Sequence, residues 1–260
     1  MDTFQEQSRV TKHFDDAARV YTSWYDLRNP EGHSFRIRRT RCLEALRHLP
    51  HGALVVDAGC GPGTFVDALL EKGYHVLGTD IAPSMIEECR KRFSEKPHAS
   101  FDVSPADQIP LEAMKAEAVT AMGLLEYLND ETSVLREFRR VLKPGGLAIL
   151  TYPHKWSPTR IWNRITHTIA RPFLRIIRGK KVSGVKHREY ELASTIQHVQ
   201  DAGLEIKDVI FYNMKLGFRP LDSLFPRTIV WISERLERFC RTPILRRIGT
   251  GFIVVAKKPE

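Results

Sequence analysis

A glycine-rich turn between a predicted strand and a predicted helix constrains the fold of this chain more than any other feature. Residues 53–57 are a short apolar run ending in an acid, and Gly59-x-Gly61-x-Gly63 follows at once, before a helical pattern over residues 65–72. Glycine permits positive φ and lets a ligand approach the backbone closely. The first turn of a helix offers free N–H groups to an anion. The pattern therefore predicts a nucleotide-like ligand at this turn.

Strands and helices alternate beyond the turn. A second strand is predicted at residues 75–79 and ends at Asp80, which could bind ribose hydroxyls. This spacing is typical of a parallel sheet covered by helices, which binds ligands at the carboxyl ends of its strands. Further strands are predicted at residues 99–103, 118–122, 147–152, 205–212 and 252–257, and helices at 83–93, 132–142, 191–202 and 228–239, with a tight turn at 143–146.

Four segments in order resemble motifs of the class I S-adenosylmethionine (SAM)-dependent methyltransferases. They are VVDAGCGPGT at 55–64, DIAPSM at 80–85, GLLEYLND at 123–130 and EFRRVLKPGG at 137–146. The resemblance covers about residues 14–152. It implies an enzyme with an α/β, Rossmann-like fold, in which a mostly parallel seven-stranded sheet has its last strand antiparallel and carries helical lid insertions. In layout the chain is similar to the ubiquinone-biosynthesis O-methyltransferases and other small-molecule methyltransferases.

The same resemblance implies SAM as the cofactor and assigns residues to it. Asp57 and the glycines would hold the methionine part, Asp80 would hold the ribose, and Tyr21 or Tyr25 would cap the cofactor. The full set of implied cofactor residues is Tyr25, Asp57, Gly59, Cys60, Gly61, Gly63, Asp80, Ile81, Met85, Ala106, Asp107, Gly123 and Leu124. Tyr127 stands where the family has histidine.

Methyl transfer to a phenol or an amine can require a base. Three residues are candidates: His154 directly after the fifth strand, His187, and Glu126, which could instead orient its loop. The four cysteines are scattered singly, without a pair or a Cys/His cluster at zinc spacing, so we expect no metal, no disulfide framework and a reducing cytoplasm.

The basic charge of the chain is concentrated in one segment. Residues 153–188 contain ten Lys/Arg and no acid, whereas the net charge of the whole chain is +9. At about 100° per residue, Arg160, Arg164, Arg171, Arg175 and Arg178 share one helical face, opposite Ile161, Ile165, Ile169, Phe173 and Ile176. Three interpretations remain open: a core-facing helix with a solvated basic face, a helix on an anionic membrane surface, and a nucleic-acid surface. Trp156 and Trp162 favour the membrane.

These patterns predict a helical cap (1–49), a SAM-binding core (50–152), a basic lid insertion (153–190) and a C-terminal part (191–260) with a second insertion (214–250). The leading hypothesis is O-methylation of an amphiphilic, lipid-like small molecule by a cytoplasmic enzyme peripheral to the inner membrane face. The alternative is a soluble natural-product or amine methyltransferase. An RNA methyltransferase is disfavoured because the segment after the fourth strand lacks an Asn/Asp-Pro-Pro-Tyr-type motif, and we expect no nucleic-acid partner.

Overall fold

Seven strands form one mixed sheet. The computed structural model describes residues 11–12, 14–15, 27–128, 130–166, 168, 187–215, 221–243 and 245–260. The strands are β1 (Leu54–Ala58), β2 (His75–Asp80), β3 (Ala99–Val103), β4 (Ala116–Ala121), β5 (Leu142–Pro153), β6 (Glu205–Met214) and β7 (Gly249–Lys257). Their order is β3-β2-β1-β4-β5-β7-β6, and β7 is antiparallel to both of its neighbours while the other pairs are parallel. The predicted α/β class with an antiparallel last strand is confirmed.

Helices connect most of these strands. They are α1 (Pro30–Ala45), α2 (Val66–Glu71), α3 (Pro83–Arg92), α4 (Thr132–Val141), α5 (158–166), α6 (Leu192–Asp201), α7 (Leu221–Leu224) and α8 (Pro226–Leu236), with 3-10 turns at Leu125–Tyr127, Glu237–Phe239 and Leu245–Ile248. Helices α1, α3 and α8 each begin with proline, whose fixed φ suits a first helical position. The Asn29 side chain caps α1 by accepting from the Gly32 N–H at 2.9 Å.

The core lies on both faces of the sheet because neighbouring strand residues point in opposite directions. Val55 of β1 packs in one apolar cluster with Leu46, which follows the last residue of α1, and with Leu69 of α2. The next residue, Val56, belongs to a second cluster with Phe138 of α4 and Val199 of α6. Helices on both faces exclude water from the sheet, which explains why the central strands are apolar in nearly every position.

The fifth strand differs from its prediction. Residues 143–146 were predicted as a tight turn, but they lie within β5, which starts at Leu142. Gly145 has φ +77°, and its N–H donates to the Lys258 carbonyl at 3.0 Å. The glycine conformation is that of a turn, yet pairing with the end of the chain keeps the segment in the sheet. Helix α8 also ends earlier than predicted, at Leu236, and continues as a 3-10 turn to Phe239.

The carboxyl edge of the sheet gathers the segments that follow β1, β2, β4, β5 and β6. These five strands run in the same direction. The glycine turn, Asp80, Gly123 and His154 therefore lie at one edge, and the insertions after β5 and β6 begin there as well. No helix in the described part of the chain has the length and hydropathy to cross a bilayer.

Candidate active site

The glycine turn is folded back against the second strand. Gly59, Gly61 and Gly63 all have positive φ, at +68°, +53° and +76°. The N–H groups of Gly59 and Cys60 donate to the Thr79 carbonyl at 2.7 and 3.0 Å. A Cβ on Gly63 would lie 2.5 Å from the Phe93 ring, whereas a Cβ on Gly61 would meet nothing within 4 Å. Gly63 is thus needed for packing, and Gly61 leaves an open face of backbone.

Asp57 is a buried acid beneath this turn. Its Oδ1 accepts a hydrogen bond from the Thr120 hydroxyl of β4 at 2.7 Å. Burial raises the pKa of the Asp57 carboxyl to about 7, with a further contribution from the negative charge of Asp80, while the Thr120 hydrogen bond opposes the shift. Asp57 therefore ties β1 to β4 directly under the turn.

Asp80 bridges the turn and the start of α3. Its two carboxylate oxygens accept from the Gly61 and Ala82 N–H groups, each at 2.9 Å. Burial raises the pKa of this carboxyl, and the backbone hydrogen bonds lower it. A carboxylate has about four acceptor positions, so Asp80 retains capacity for a ligand hydroxyl.

The other residues implied for the cofactor differ in their contacts and in how far they are buried. Gly123 has φ +77° and donates to the Thr151 hydroxyl at 2.8 Å, and Leu124 packs where a Cβ of Gly59 would be. Cys60 and Met85 are buried, Ile81 and Ala106 are half-buried, and Asp107 is exposed. Tyr21 and Tyr25 lie outside the described residues.

Two features near the turn were missed by sequence reasoning. Arg38 of α1 is buried, and a Cβ on Gly123 would lie 2.7 Å from its Nη1, so its positive charge sits at the end of β4. No motif surrounds Arg38 in the sequence. Phe14 packs on Ala82 and Met85 and edge-on to the Tyr127 ring, with centroids 4.9 Å apart. Phe14 thus reaches from the end of β2 to the end of β4.

Glu126 and His187 form a pair beside the end of β4. The His187 Nδ1 lies 3.7 Å from the Glu126 Oε1, and the histidine ring packs against Tyr127. Burial alone would raise the pKa of Glu126, but His187, Arg38 and Arg160 lower it below its usual value. Glu126 is therefore held as a carboxylate, at ion-pair distance from the Nδ1 of His187.

The strap of residues 188–190 positions His187. The Tyr190 hydroxyl donates to the Leu125 carbonyl at 2.7 Å, and the Arg188 N–H donates to the Glu126 carbonyl at 2.9 Å. Both bonds tie the strap to the 3-10 turn that carries Glu126. The His187 side chain itself is about half exposed, so it remains accessible to a ligand.

The surroundings of His154 are different. Its Nδ1 lies 3.0 Å from the Gly249 carbonyl, and its ring meets Phe211 and Phe252 edge-on. Burial lowers the pKa of His154, and Arg160 lowers it further. The imidazole is thus neutral and enclosed, and one of its nitrogens is already used by the backbone.

Helix α5 follows β5, and two arginines of its basic face pair with the same acid. The Arg160 and Arg164 guanidinium groups both pair with Glu189, at 3.3 and 2.5 Å, and the Arg164 side chain is itself 49% exposed. The opposite side carries Trp162 and Ile165, which are 43% and 50% exposed. Arg160 and Arg164 were predicted to lie on a basic face, and the structure gives both an acidic partner at the protein surface. Arg171, Arg175 and Arg178, and with them Ile169, Phe173 and Ile176, lie outside the described residues.

Comparisons with known proteins agree with this geometry. Residues 56–150 match the family model described as a methyltransferase domain. A ubiquinone biosynthesis O-methyltransferase of Xanthomonas axonopodis pv. citri (strain 306) is 30% identical over 141 residues, which are 53% of this chain and 59% of that protein. The chain therefore matches little more than half the length of this relative.

Solved structures extend the likeness to nearly the whole chain. A putative methyltransferase in complex with the Trm112 methyltransferase activator of Haloferax volcanii has a TM-score of 0.63 at 22% identity, covering 95% of this chain and 98% of that one. The 1,6-didemethyltoxoflavin-N1-methyltransferase of Burkholderia thailandensis has a TM-score of 0.62 at 14% identity, covering 100% and 92%. At these identities the likeness concerns the fold. The chain thus has the α/β fold of these methyltransferases, and its residues 56–150 are similar to a methyltransferase domain.

Proposed function

We propose that this chain transfers the methyl group of SAM to a hydroxyl oxygen of an amphiphilic, lipid-like small molecule, working peripherally at the inner membrane surface. One observation carries the acceptor class: helix α5, directly after β5, leaves Trp162 and Ile165 43% and 50% exposed on the side opposite Arg160 and Arg164. A helix that faces only water on its outer side is expected to bury its apolar residues. The curated relative of similar sequence is named for ubiquinone biosynthesis, which is in keeping with an amphiphilic acceptor.

The residues at the carboxyl edge fit SAM. Gly61 leaves open backbone against which the nucleoside can lie. Asp80 would accept from the ribose hydroxyls, and Arg38 would pair with the methionine carboxylate. Gly123 and Leu124 would line the methionine side. When bound, SAM supplies an electrophilic methyl group on a sulfonium, so the protein has to orient an acceptor oxygen and manage its proton.

We propose that His187 is the base that accepts the proton of the substrate hydroxyl. Glu126 lies 3.7 Å from the His187 Nδ1 and would favour the tautomer with its proton there, which would leave Nε2 as the acceptor for the proton of the substrate hydroxyl. His154 is the weaker candidate because its Nδ1 is bonded to the Gly249 carbonyl and its ring is enclosed by aromatic side chains. Glu126 acts on the substrate through His187, so it is a positioning residue.

A soluble small-molecule methyltransferase is the second candidate. It is favoured by the pairing of Arg160 and Arg164 with Glu189, because arginines already paired with an acid of the protein are less available to lipid head groups. In that case α5 is a closed lid, and Trp162 and Ile165 contact the acceptor or further residues of the chain.

A matched pair of acceptors separates the two candidates. The enzyme is incubated with SAM and either catechol or a dodecyl-substituted catechol, with and without vesicles of equal parts phosphatidylcholine and phosphatidylglycerol. Our proposal predicts faster methylation of the dodecyl compound, and stimulation by vesicles. Equal rates without stimulation would favour the soluble enzyme. SAM binding without transfer to any hydroxyl, while an amine such as histamine is methylated, would contradict O-methylation.

The assigned cofactor site has its own test. Isothermal titration calorimetry with SAM should give binding in the wild type and a large loss in Asp80→Ala. Asp102→Ala is the matched control, because Asp102 is an exposed acid on the neighbouring strand β3. Unchanged SAM affinity in Asp80→Ala would remove Asp80 from the site.

A further inference from the structure

Helix α8 carries an exposed aromatic residue between two arginines. Trp231 is 54% exposed, and Arg227 and Arg235 lie one helical turn before and after it, both exposed. The Arg235 guanidinium carbon lies 4.1 Å from the centroid of the Trp231 ring. The opposite side of α8 is internal, because Ser233 is buried and Leu236 packs against the core. Just before α8, Leu224 and Phe225 are 64% and 58% exposed.

The same arrangement occurs beside α5. Trp156, which is 50% exposed, has the Lys155 ammonium 5.0 Å from its ring centroid. Two insertions that are distant in sequence thus present tryptophan rings covered by a cation. Tryptophan with an adjacent Lys or Arg suits the boundary between acyl chains and head groups, where the ring is half desolvated and the cation meets phosphate.

Contacts bring the two insertions together. The Thr159 hydroxyl of α5 donates to the Lys215 carbonyl at 3.3 Å, and the Lys215 ammonium pairs with Asp222 of α7 at 2.7 Å. Helix α5 follows β5 and helix α7 follows β6, and these strands end at the same edge of the sheet. A flat partner that touches both insertions would therefore face the edge that holds the candidate active site.

The charge of the second insertion indicates the partner. Residues 224–248 contain six arginines and two glutamates. One of the glutamates, Glu237, is buried and accepts from the Met214 N–H at 2.7 Å. The outward charge is thus strongly positive around an apolar centre, which complements an anionic bilayer.

We infer that the α7–α8 insertion, through Leu224, Phe225 and Trp231 with Arg227 and Arg235, is a second contact surface for an anionic lipid bilayer beside that of α5. This inference rests on the proposed function, since it completes the surface through which a lipid-like acceptor would enter. It assigns bilayer contact to residues outside the basic segment 153–188.

Vesicle flotation of the full chain tests this surface. The variants are Trp231→Ala and Arg227→Gln/Arg235→Gln, and the vesicles are phosphatidylcholine alone or mixed equally with phosphatidylglycerol. The partition coefficient of the double arginine variant onto anionic vesicles should be lower by about fivefold for each arginine replaced. Its partition coefficient onto neutral vesicles should change little. Trp231→Ala should weaken binding to both. Met114→Asn is the matched control, because Met114 is 54% exposed but precedes β4, at the opposite edge of the sheet.

Two further measurements keep the outcomes distinct. Calorimetry with SAM shows whether each variant is folded. If Trp231→Ala loses SAM binding, vesicle binding by Arg227→Gln/Arg235→Gln alone tests the α7–α8 surface. A Trp162→Ala/Ile165→Ala variant tests α5 in the same assay. If only that variant loses vesicle binding, the inference about α7–α8 is overturned and the proposed function stands. Wild-type affinity for vesicles in both α8 variants, or arginine-dependent binding to polyuridylic acid in place of vesicles, would also overturn it.

Discussion

Substituting Gly61 tests whether a ligand lies directly against the glycine turn. Gly61→Ala places a methyl group where the structure shows no protein atom within 4 Å, so the protein itself meets no clash. Because φ is +53° at this position, alanine adds strain of about 1–2 kcal/mol to the folded state. A ligand seated against the backbone has to accommodate the added methyl group, which costs about 1–3 kcal/mol in a close contact. We expect SAM to bind roughly 5- to 150-fold more weakly.

The chain provides a matched control for this substitution. Gly52 has φ +76°, and a Cβ there also meets nothing within 4 Å, but Gly52 precedes β1 at the opposite edge of the sheet. Gly52→Ala should lower the free energy of unfolding by a similar amount and leave SAM affinity unchanged. Urea unfolding gives the free energy of unfolding of each variant, and calorimetry gives its SAM affinity. Wild-type SAM affinity in Gly61→Ala, or an equal loss in Gly52→Ala, would refute close approach at Gly61.

Three further predictions concern named side chains. Because the pKa of Asp57 is raised to about 7 in the folded state, the native state binds more protons than the unfolded state between about pH 4 and 7. As the pH rises through this range, the free energy of unfolding of the wild type relative to Asp57→Asn should therefore fall by about 4 kcal/mol. If urea unfolding gives the two proteins the same dependence on pH, this expectation is contradicted. Tyr190→Phe removes a buried hydrogen bond to the Leu125 carbonyl and should lower the free energy of unfolding by about 1–3 kcal/mol; no change would show that water replaces the hydroxyl. With a working acceptor, His187→Ala should lower kcat about 10²–10⁴-fold, and Glu126→Gln should alter the pH profile of kcat with little effect on SAM affinity; a normal kcat in His187→Ala would exclude it as the base.

Local sequence features predicted the strand, turn and helix that carry the candidate cofactor residues. The strand, the glycine turn, the helix and Asp80 follow one another within thirty residues, so chain connectivity alone brings them together. The fifth strand was only partly predictable. Its first residues look like a turn because of Gly145, and they are held in the sheet by Lys258, which lies more than a hundred residues later in the chain. Pairing between residues so far apart in the sequence cannot be predicted from the local residue pattern.

The other misses concern side-chain partners. Periodicity placed Arg160 and Arg164 of α5 on one face, but it does not show which acid they contact. Both pair with Glu189, which lies after the end of α5 in the chain. Arg38 was missed for a related reason: its helix is rich in arginine, and only the packing of α1 against the sheet selects the one that reaches Gly123. The glycine turn is local in sequence, whereas the surroundings of Glu126 and His187 are assembled from distant segments.

The strand order separates the glycine turn and Asp80 from the two insertions at the carboxyl edge of the sheet. The glycine turn, Asp80 and Gly123 follow β1, β2 and β4, whereas both insertions follow β5 and β6 on the other side of the sheet. Insertions and deletions in connections after β5 and β6 can therefore accumulate during evolution without disturbing the glycine turn. One ancestral core can in this way give rise to enzymes of different acceptor preference. For protein engineering, both insertions should be exchanged together, with the contact between Thr159 and Lys215 retained as their junction.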